Sequence, residues 1–325
     1  DPDDDVGVLL ASKMAERVKG IVSTVSPQIN DTNIVERIDE LEKEYGSQDW
    51  RVAFILSLEV AKEKLCKFKD KREAAEVGMR VGLAYLTNAV LSAPLEGFVQ
   101  LKLKKRKKDG KEYFSLYFSG PIRSAGTTAA CAFIALADYI RKELGYAEYD
   151  PTEEEVKRSV TEAYDFHEKI TNLQYLPSEE EIAFMVASLP LQIDGDPSED
   201  VEVSNFKDLD RVDTNRIRNG VCLVLGEGLC QKAAKFYAKF TSMIKQFEME
   251  HWKFMEDFVA LQKKIRAKEQ TAAKDSLKIK PDFGFMKDIV AGRPVFTHPM
   301  AKGGFRLRYR RSRVSGVSAQ AIHPA

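Results

Sequence analysis

Several familiar features are missing from this sequence, and each absence removes a class of answer. No run of roughly 18 or more apolar residues occurs, so no membrane-spanning helix and no membrane partner are expected. The chain opens DPDDD, without the basic and apolar leader of a signal peptide. Its first methionine is Met14, so it reads as a trimmed or partial chain. Four cysteines, Cys66, Cys131, Cys222 and Cys230, form no CxxC. Neither a zinc site nor a disulfide framework is indicated, and reduced thiols in a cytoplasmic protein are the expectation. The 50 acidic residues balance 50 basic ones, so no global field draws a polyanion to the whole surface.

What remains is a chain of 325 residues with 44% hydrophobic content, enough for two or three ordinary domains. The organising stretch is Phe114 to Ala130, FSLYFSGPIRSAGTTAA. Phe114, Leu116 and Phe118 alternate with Ser115 and Tyr117 as a strand does. The strand breaks at Gly120-Pro121, and a helix is expected from Thr127. Arg123 and Ser124 then lie in a loop facing the unpaired N–H groups of that helix, a place that can hold a phosphate or carboxylate. No GK[ST] follows and the glycines do not read GxGxxG, so it is neither a Walker loop nor a dinucleotide fingerprint. The competing reading is a tight turn in which Arg123 pairs with an acidic side chain of its own fold.

Helical periodicity dominates the first 90 residues, through Val35–Tyr45, Trp50–Phe68 and Ala74–Leu91. Pro94 and Gly97 close that region. Phe98, Leu101 and Leu103 begin a strand, and Asp109-Gly110 between two extended runs signals a hairpin. Its tip carries Lys104, Lys105, Arg106, Lys107, Lys108 and Lys111, which reads either as a solvated tip or as a contact to a phosphate backbone. Helices are expected from Thr127 to Leu144, from Asp150-Pro151-Thr152 through Ile170, and from Pro177-Ser178 to Pro190. His167 reads as a surface or capped residue. Short strands are expected at Leu191–Asp194 and Val201–Val203, with Asp194, Asp196, Glu199, Asp200 and Glu202 between and around them. That acidic group has no EF-hand register and reads as a solvated loop.

An apolar strand over Val221–Leu225, turned by Gly226-Glu227-Gly228 into a helix from Leu229 to Met243, would repeat the layout of the organising stretch. A long charged helix follows from Glu248 to Ala267, then fading periodicity. Gly303–Gly316 alternates arginines with Phe, Leu and Tyr. A strand there sets Arg306, Arg308 and Arg310 on one face, and five arginines within eight residues suit phosphate oxygens. An acidic surface of another domain is the alternative target. The fold class expected is mostly helical α+β: an N-terminal helical bundle followed by a small sheet with helices packed on one face. The divisions are 1–92 for the bundle, 93–267 for the α+β region, 268–291 for a linker and 292–325 for a further unit.

Several stretches carry a resemblance beyond generic pattern: YFSGPIRSAG (117–126), VDTNRIRNGVCLVLGEGLCQKAAK (212–235), GRPVF (292–296), GGFRLRYRRSRVSG (303–316), AIHPA (321–325), SAPLEG (92–97) and LQYLPS (173–178). In matching order over nearly the whole chain, they resemble the N-terminal region of the large subunit of archaeal family-D DNA polymerases. The resemblance implies a replicative DNA-directed DNA polymerase working as a heterodimer with a small subunit that carries 3′→5′ exonuclease activity. It implies a catalytic core of double-psi barrels with magnesium-binding Asp residues far downstream. This chain would then hold no catalytic residue and no cofactor, Mg²⁺ belonging to the parent polymerase, and residues 292–325 would begin the core. Arg310 and Thr127 stand where the family pattern has glycine, and a bulky residue there can strain a turn.

The function expected is that of a DNA-binding and assembly region. It would contact the phosphate backbone through the hairpin tip, Arg123, Arg306, Arg308, Arg311 and Arg313. The alternative is a protein–protein scaffold, with helices 229–267 driving a homodimer or docking onto the small subunit. A third reading, a free-standing nucleotidyl transferase, would need Asp194, Asp196 and Asp200 to form a metal site.

Overall fold

A computed structural model describes residues 13–274 together with 295–296 and 307–308. The chain divides into two compact units, Asp1–Gln262 and Lys263–Ala325. In the first, α1 (Met14–Ser23), α2 (Ile34–Tyr45), α3 (Trp50–Ala61) and α4 (Lys71–Leu86) form the helical N-terminal layer. Asp49 and Asp70 cap α3 and α4 by accepting the backbone N–H groups of Arg51 and Glu73, so each helix begins where a short acidic side chain satisfies an otherwise unpaired donor.

Next come β1 (Phe98–Lys105) and β2 (Glu112–Phe118), an antiparallel hairpin with Leu103 opposite Phe114 and Lys105 opposite Glu112. After a 3₁₀ turn over Gly120–Ala125 the chain enters α5 (Thr127–Glu143), then α6 (Glu153–Asp165) and α7 (Glu179–Ser188). It returns as β3 (Gln192–Asp194), parallel to β2. The sheet order is β1-β2-β3, so β2 is central. Its even and odd faces are both buried. Phe98 and Phe118 pack their rings on Phe133 of α5. On the other face Tyr113 and Ser115 bond to Gln192 and Asp194 of β3, Tyr117 bonds to Asp213 of the irregular segment 195–218, and Arg211 of that segment lies over the Tyr113 ring. The alternation in the sequence is real, but polar chain rather than water covers the second face.

Two capping boxes start α6 and α7. Thr152 and Ser178 accept from the N–H groups of Glu155 and Glu181, and both glutamates reach back to the capping residue. One continuous hydrophobic core joins the N-terminal helices to the sheet, from Val18 through Phe98 and Phe133 to Phe258, and runs unbroken past residue 92. The mostly helical α+β class is what the structure has.

Three local expectations are corrected. Val221–Leu225 is not a strand: α8 (Asn219–Cys222) runs into a π-helical stretch, Leu223–Cys230, and then α9 (Gln231–Ile244). All of Leu223–Cys230 is buried, and a short apolar run enclosed on every side carries no periodicity to separate helix from strand. Val201–Val203 supplies only a single bridge, Glu202 to Arg216. The last long helix, α10 (Phe254–Lys274), extends past Ala267, its expected end.

In the second unit, β4 (Val295–Phe296) and β5 (Leu307–Arg308) pair antiparallel, Val295 with Arg308 and Phe296 with Leu307.

Candidate nucleic-acid interface

The hairpin tip is closed by the Arg106 N–H donating to the Lys111 carbonyl at 2.9 Å and by Gly110 donating back to Arg106 at 3.0 Å. The six cations of this tip divide into two sets. Lys104 turns inward, where its Nζ donates to Asp194 at 2.8 Å, to the Arg211 carbonyl at 2.7 Å and to Asp213 at 3.0 Å. Arg106 is largely covered and lies 3.3 Å from Asp109 and 3.7 Å from Asp150. Lys107 pairs with Asp210 at 2.9 Å, which raises its ammonium above the ordinary lysine value. Lys105, Lys108 and Lys111 are exposed, and their ammonium groups have no carboxylate partner among the described residues. Only these three are free to meet a phosphate without first giving up an internal bond.

The base of the hairpin is a polar latch. Asp213 accepts from Lys102 at 2.8 Å and from the Tyr117 hydroxyl at 2.5 Å, besides Lys104. Burial alone would raise its carboxyl, but these donors hold it well below the usual carboxylate range. Lys102 also lies 4.1 Å over the Tyr117 ring.

Arg123 is bidentate on Glu227, with Nε to Oε2 at 3.0 Å and Nη2 to Oε1 at 2.6 Å. Glu227 is buried in the π-helical stretch and also accepts the Gln174 N–H at 2.9 Å. The tight-turn reading of this loop is therefore the observed geometry. The Arg123 guanidinium, about half exposed, closes a three-way junction between the loop, residues 171–178 and the π-helix. Gly126, at φ +76°, makes the left-handed turn into α5, so Thr127 starts the helix without needing that conformation itself. Arg306, Arg310, Arg311 and Arg313 lie outside the described residues, and of Arg308 only the backbone is described.

The acidic group does not converge. Asp194 is buried and held by Arg218 at 2.6 Å, by Lys104 and by the Ser115 hydroxyl at 3.2 Å. Asp200 pairs with Arg216 at 3.0 Å, and Asp196 is exposed. Among the described residues no group of three or more His, Cys, Asp or Glu is placed to hold a metal ion. His167 accepts the Leu173 N–H through Nδ1 at 3.0 Å, a capping role.

The sequence reading missed the three arginines that hold segment 195–218 against α6 and, through Arg218, against β3. Arg158 donates to the carbonyls of Phe206, Thr214 and Arg216. Arg211 forks onto Glu155 and Asp150, and Arg218 bridges Glu162 and Asp194. One signal was available: Glu155, Arg158 and Glu162 sit at i, i+3 and i+7, charged residues at core-facing spacing on α6.

Against known proteins, residues 1–261 match the family model described as DNA polymerase II large subunit DP2, N-terminal, and residues 235–325 match that of the DP2 central domain. The chain belongs to the DNA polymerase II large subunit family. The N-terminal DP2 match ends one residue short of the first compact unit. Relatives named DNA polymerase II large subunit include that of Nanoarchaeum equitans, 45% identical across all of this chain and 28% of its own length. Those of Thermoplasma volcanium and Methanococcoides burtonii are 42% and 39% identical, again over the whole chain and 27% of theirs. The chain thus spans between a quarter and a third of the length of these DP2 relatives. No helix among the described residues is long and apolar enough to cross a membrane.

Proposed function

We propose that this chain is the DNA-binding and assembly region at the N-terminal end of a replicative DNA-directed DNA polymerase large subunit. Synthesis belongs to carboxylates and Mg²⁺ elsewhere in that subunit, and 3′→5′ exonuclease activity to a partner small subunit. Family membership supports the polymerase context. The observation that carries the DNA contact is the exposed trio Lys105, Lys108 and Lys111 on one hairpin tip, unneutralised in a chain whose other tip cations are engaged. Arg306, Arg308, Arg311 and Arg313 add a second phosphate-binding stretch. Contacts of this kind position DNA without reading its bases.

The test is a fluorescence anisotropy titration of the 325-residue chain with labelled duplexes of unrelated sequence at several salt concentrations. Binding that weakens linearly on a log–log plot, equally for each duplex, is expected. No binding at low salt, or binding indifferent to salt, rejects the reading.

A further inference from the structure

Formal neutrality of the whole chain hides a division of charge. Thr152 to Ser188 carries nine Asp and Glu against three Lys and Arg. Some of those carboxylates are internal, but Glu153, Glu154, Glu168, Glu179 and Glu180 are exposed. The same stretch forms the walls of an open groove of about 500 Å³ between α6 and α7. Lys157, Val160, Thr161, Tyr164 and Asp165 line it from α6 at i, i+3, i+4, i+7 and i+8, one helical stripe. Ala183 faces them from α7, and Phe206 of segment 195–218 is part of the same lining.

Phe206 is unusual there. A phenylalanine at φ +57° is in a conformation its side chain disfavours, and it is held so while Arg158 takes its carbonyl at 3.3 Å. Lys157, the one cation of the lining, already pairs with Glu153 at 2.5 Å, and Asp165 of the lining is engaged by Lys169 at 2.8 Å. Glu179 and Glu180 have no ion-pair partner among the described residues. Carboxylates at a helix start stabilise the helix without help, but that role does not account for an apolar trough beside them.

We propose that this groove docks a basic amphipathic helix of a partner protein. One large apolar side chain sits among Val160, Tyr164, Ala183 and Phe206, and a Lys or Arg one turn away meets Glu179 and Glu180. Charge selects the occupant: a phosphate backbone is repelled from this face, whereas a cationic helix finds both its apolar and its charged complement. The assignment is independent of DNA contact at the hairpin tip.

The test uses the full 325-residue chain and two labelled peptides of the same length. One is an amphipathic helix of Leu, Ala and Lys, and its twin carries Glu for every Lys. The basic peptide binds and the acidic twin does not. Ala183→Glu fills the groove while adding negative charge, and it weakens the basic peptide by about tenfold. Tighter binding to that variant would mean charge attraction with no groove, and the proposal fails. Because Glu179 and Glu180 are exposed, the E179Q/E180Q variant keeps its fold. It loses affinity and salt dependence for the basic peptide while its duplex DNA binding is unchanged. Equal binding of both peptides, or no effect of E179Q/E180Q, overturns the assignment. Sedimentation gives the remaining arm: a dimer that Ala183→Glu abolishes would assign the groove to a second copy of this chain, against the proposal.

Discussion

Glu162 receives Arg218 through two parallel bonds, Nε to Oε1 at 3.0 Å and Nη2 to Oε2 at 2.6 Å, and neither side chain reaches solvent. The Arg218 backbone N–H also donates to Glu162 at 2.7 Å, and Arg158 adds a further bond at 3.3 Å. This carboxylate fastens α6 to the start of α8 and, through Arg218 and Asp194, to β3. Neutralising it leaves two buried guanidinium groups short of their counter-charge. Glu162→Gln is therefore expected to cost about 3–5 kcal/mol, the range for breaking one side of a buried pair. Urea unfolding followed by circular dichroism measures it. A loss below about 1 kcal/mol would show the network to be dispensable.

The local half of this fold could be read from sequence, and the long-range half could not. Asp109-Gly110 announced the hairpin, and Thr152 and Ser178 announced α6 and α7, because turn and cap chemistry act within a few residues. The fate of the cations could not be read that way. Lys104 and Asp194 are 90 residues apart, and Arg123 and Glu227 are 104 apart. A run of lysines looks the same whether the fold later brings carboxylates to half of it or to none. Val221–Leu225 failed for a different reason: its residues are buried all round, so neither the period of a strand nor that of a helix shows in them.

Gly220 gives a second test, one of steric origin. A Cβ placed there would lie 2.3 Å from the Phe118 carbonyl oxygen and 2.6 Å from the Ser119 nitrogen, where backbone meets backbone. Neither neighbour is a flexible side-chain end, so α8 would have to move off the end of β2. Gly220→Ala is expected to destabilise the chain by about 1–3 kcal/mol, although alanine is the better helix former. Thermal unfolding of the two proteins side by side would show it, and an unchanged midpoint would mean that α8 shifts freely.

Acid should loosen the packing of α5 against the 3₁₀ turn Glu250–Lys253. Asp138 of α5 is buried and accepts from His251 Nε2 at 2.5 Å, Arg141 Nε at 2.6 Å and Trp252 Nε1 at 2.8 Å. Burial would raise its carboxyl, but His251, Arg141 and Trp252 together hold it below the ordinary aspartate value. A carboxylate depressed in the folded state adds stability that is fully present above its unfolded value of about 3.9. That stability disappears as pH falls below about 4 and through the folded value. Asp213 follows the same sign at the hairpin base. Urea midpoints between neutral pH and strong acid should fall less steeply for Asp138→Asn than for the parent chain. Parallel curves would remove Asp138 from the acid response.

The hairpin tip separates a binding role from a folding role among adjacent lysines. Lys105, Lys108 and Lys111 are exposed and free of carboxylates, so changing all three to Ala removes charge without removing an internal bond. Each lost phosphate contact lowers the slope of log affinity against log salt by about 0.9, so the triple variant should lose between about 2 and 3 units of slope while unfolding as the parent does. Lys104→Ala reverses the pattern. It strips Asp194 and Asp213 of a donor at 2.8 and 3.0 Å and leaves the buried carboxylate of Asp194 short of one cation, so stability falls. The salt slope should hardly change, because Lys104 faces inward. Duplex titrations paired with urea unfolding on both variants distinguish these outcomes. A Lys104→Ala variant with intact stability and the larger loss of DNA affinity would move the phosphate contact from the outward lysines to the inward side that Lys104 shares with Asp194 and Asp213.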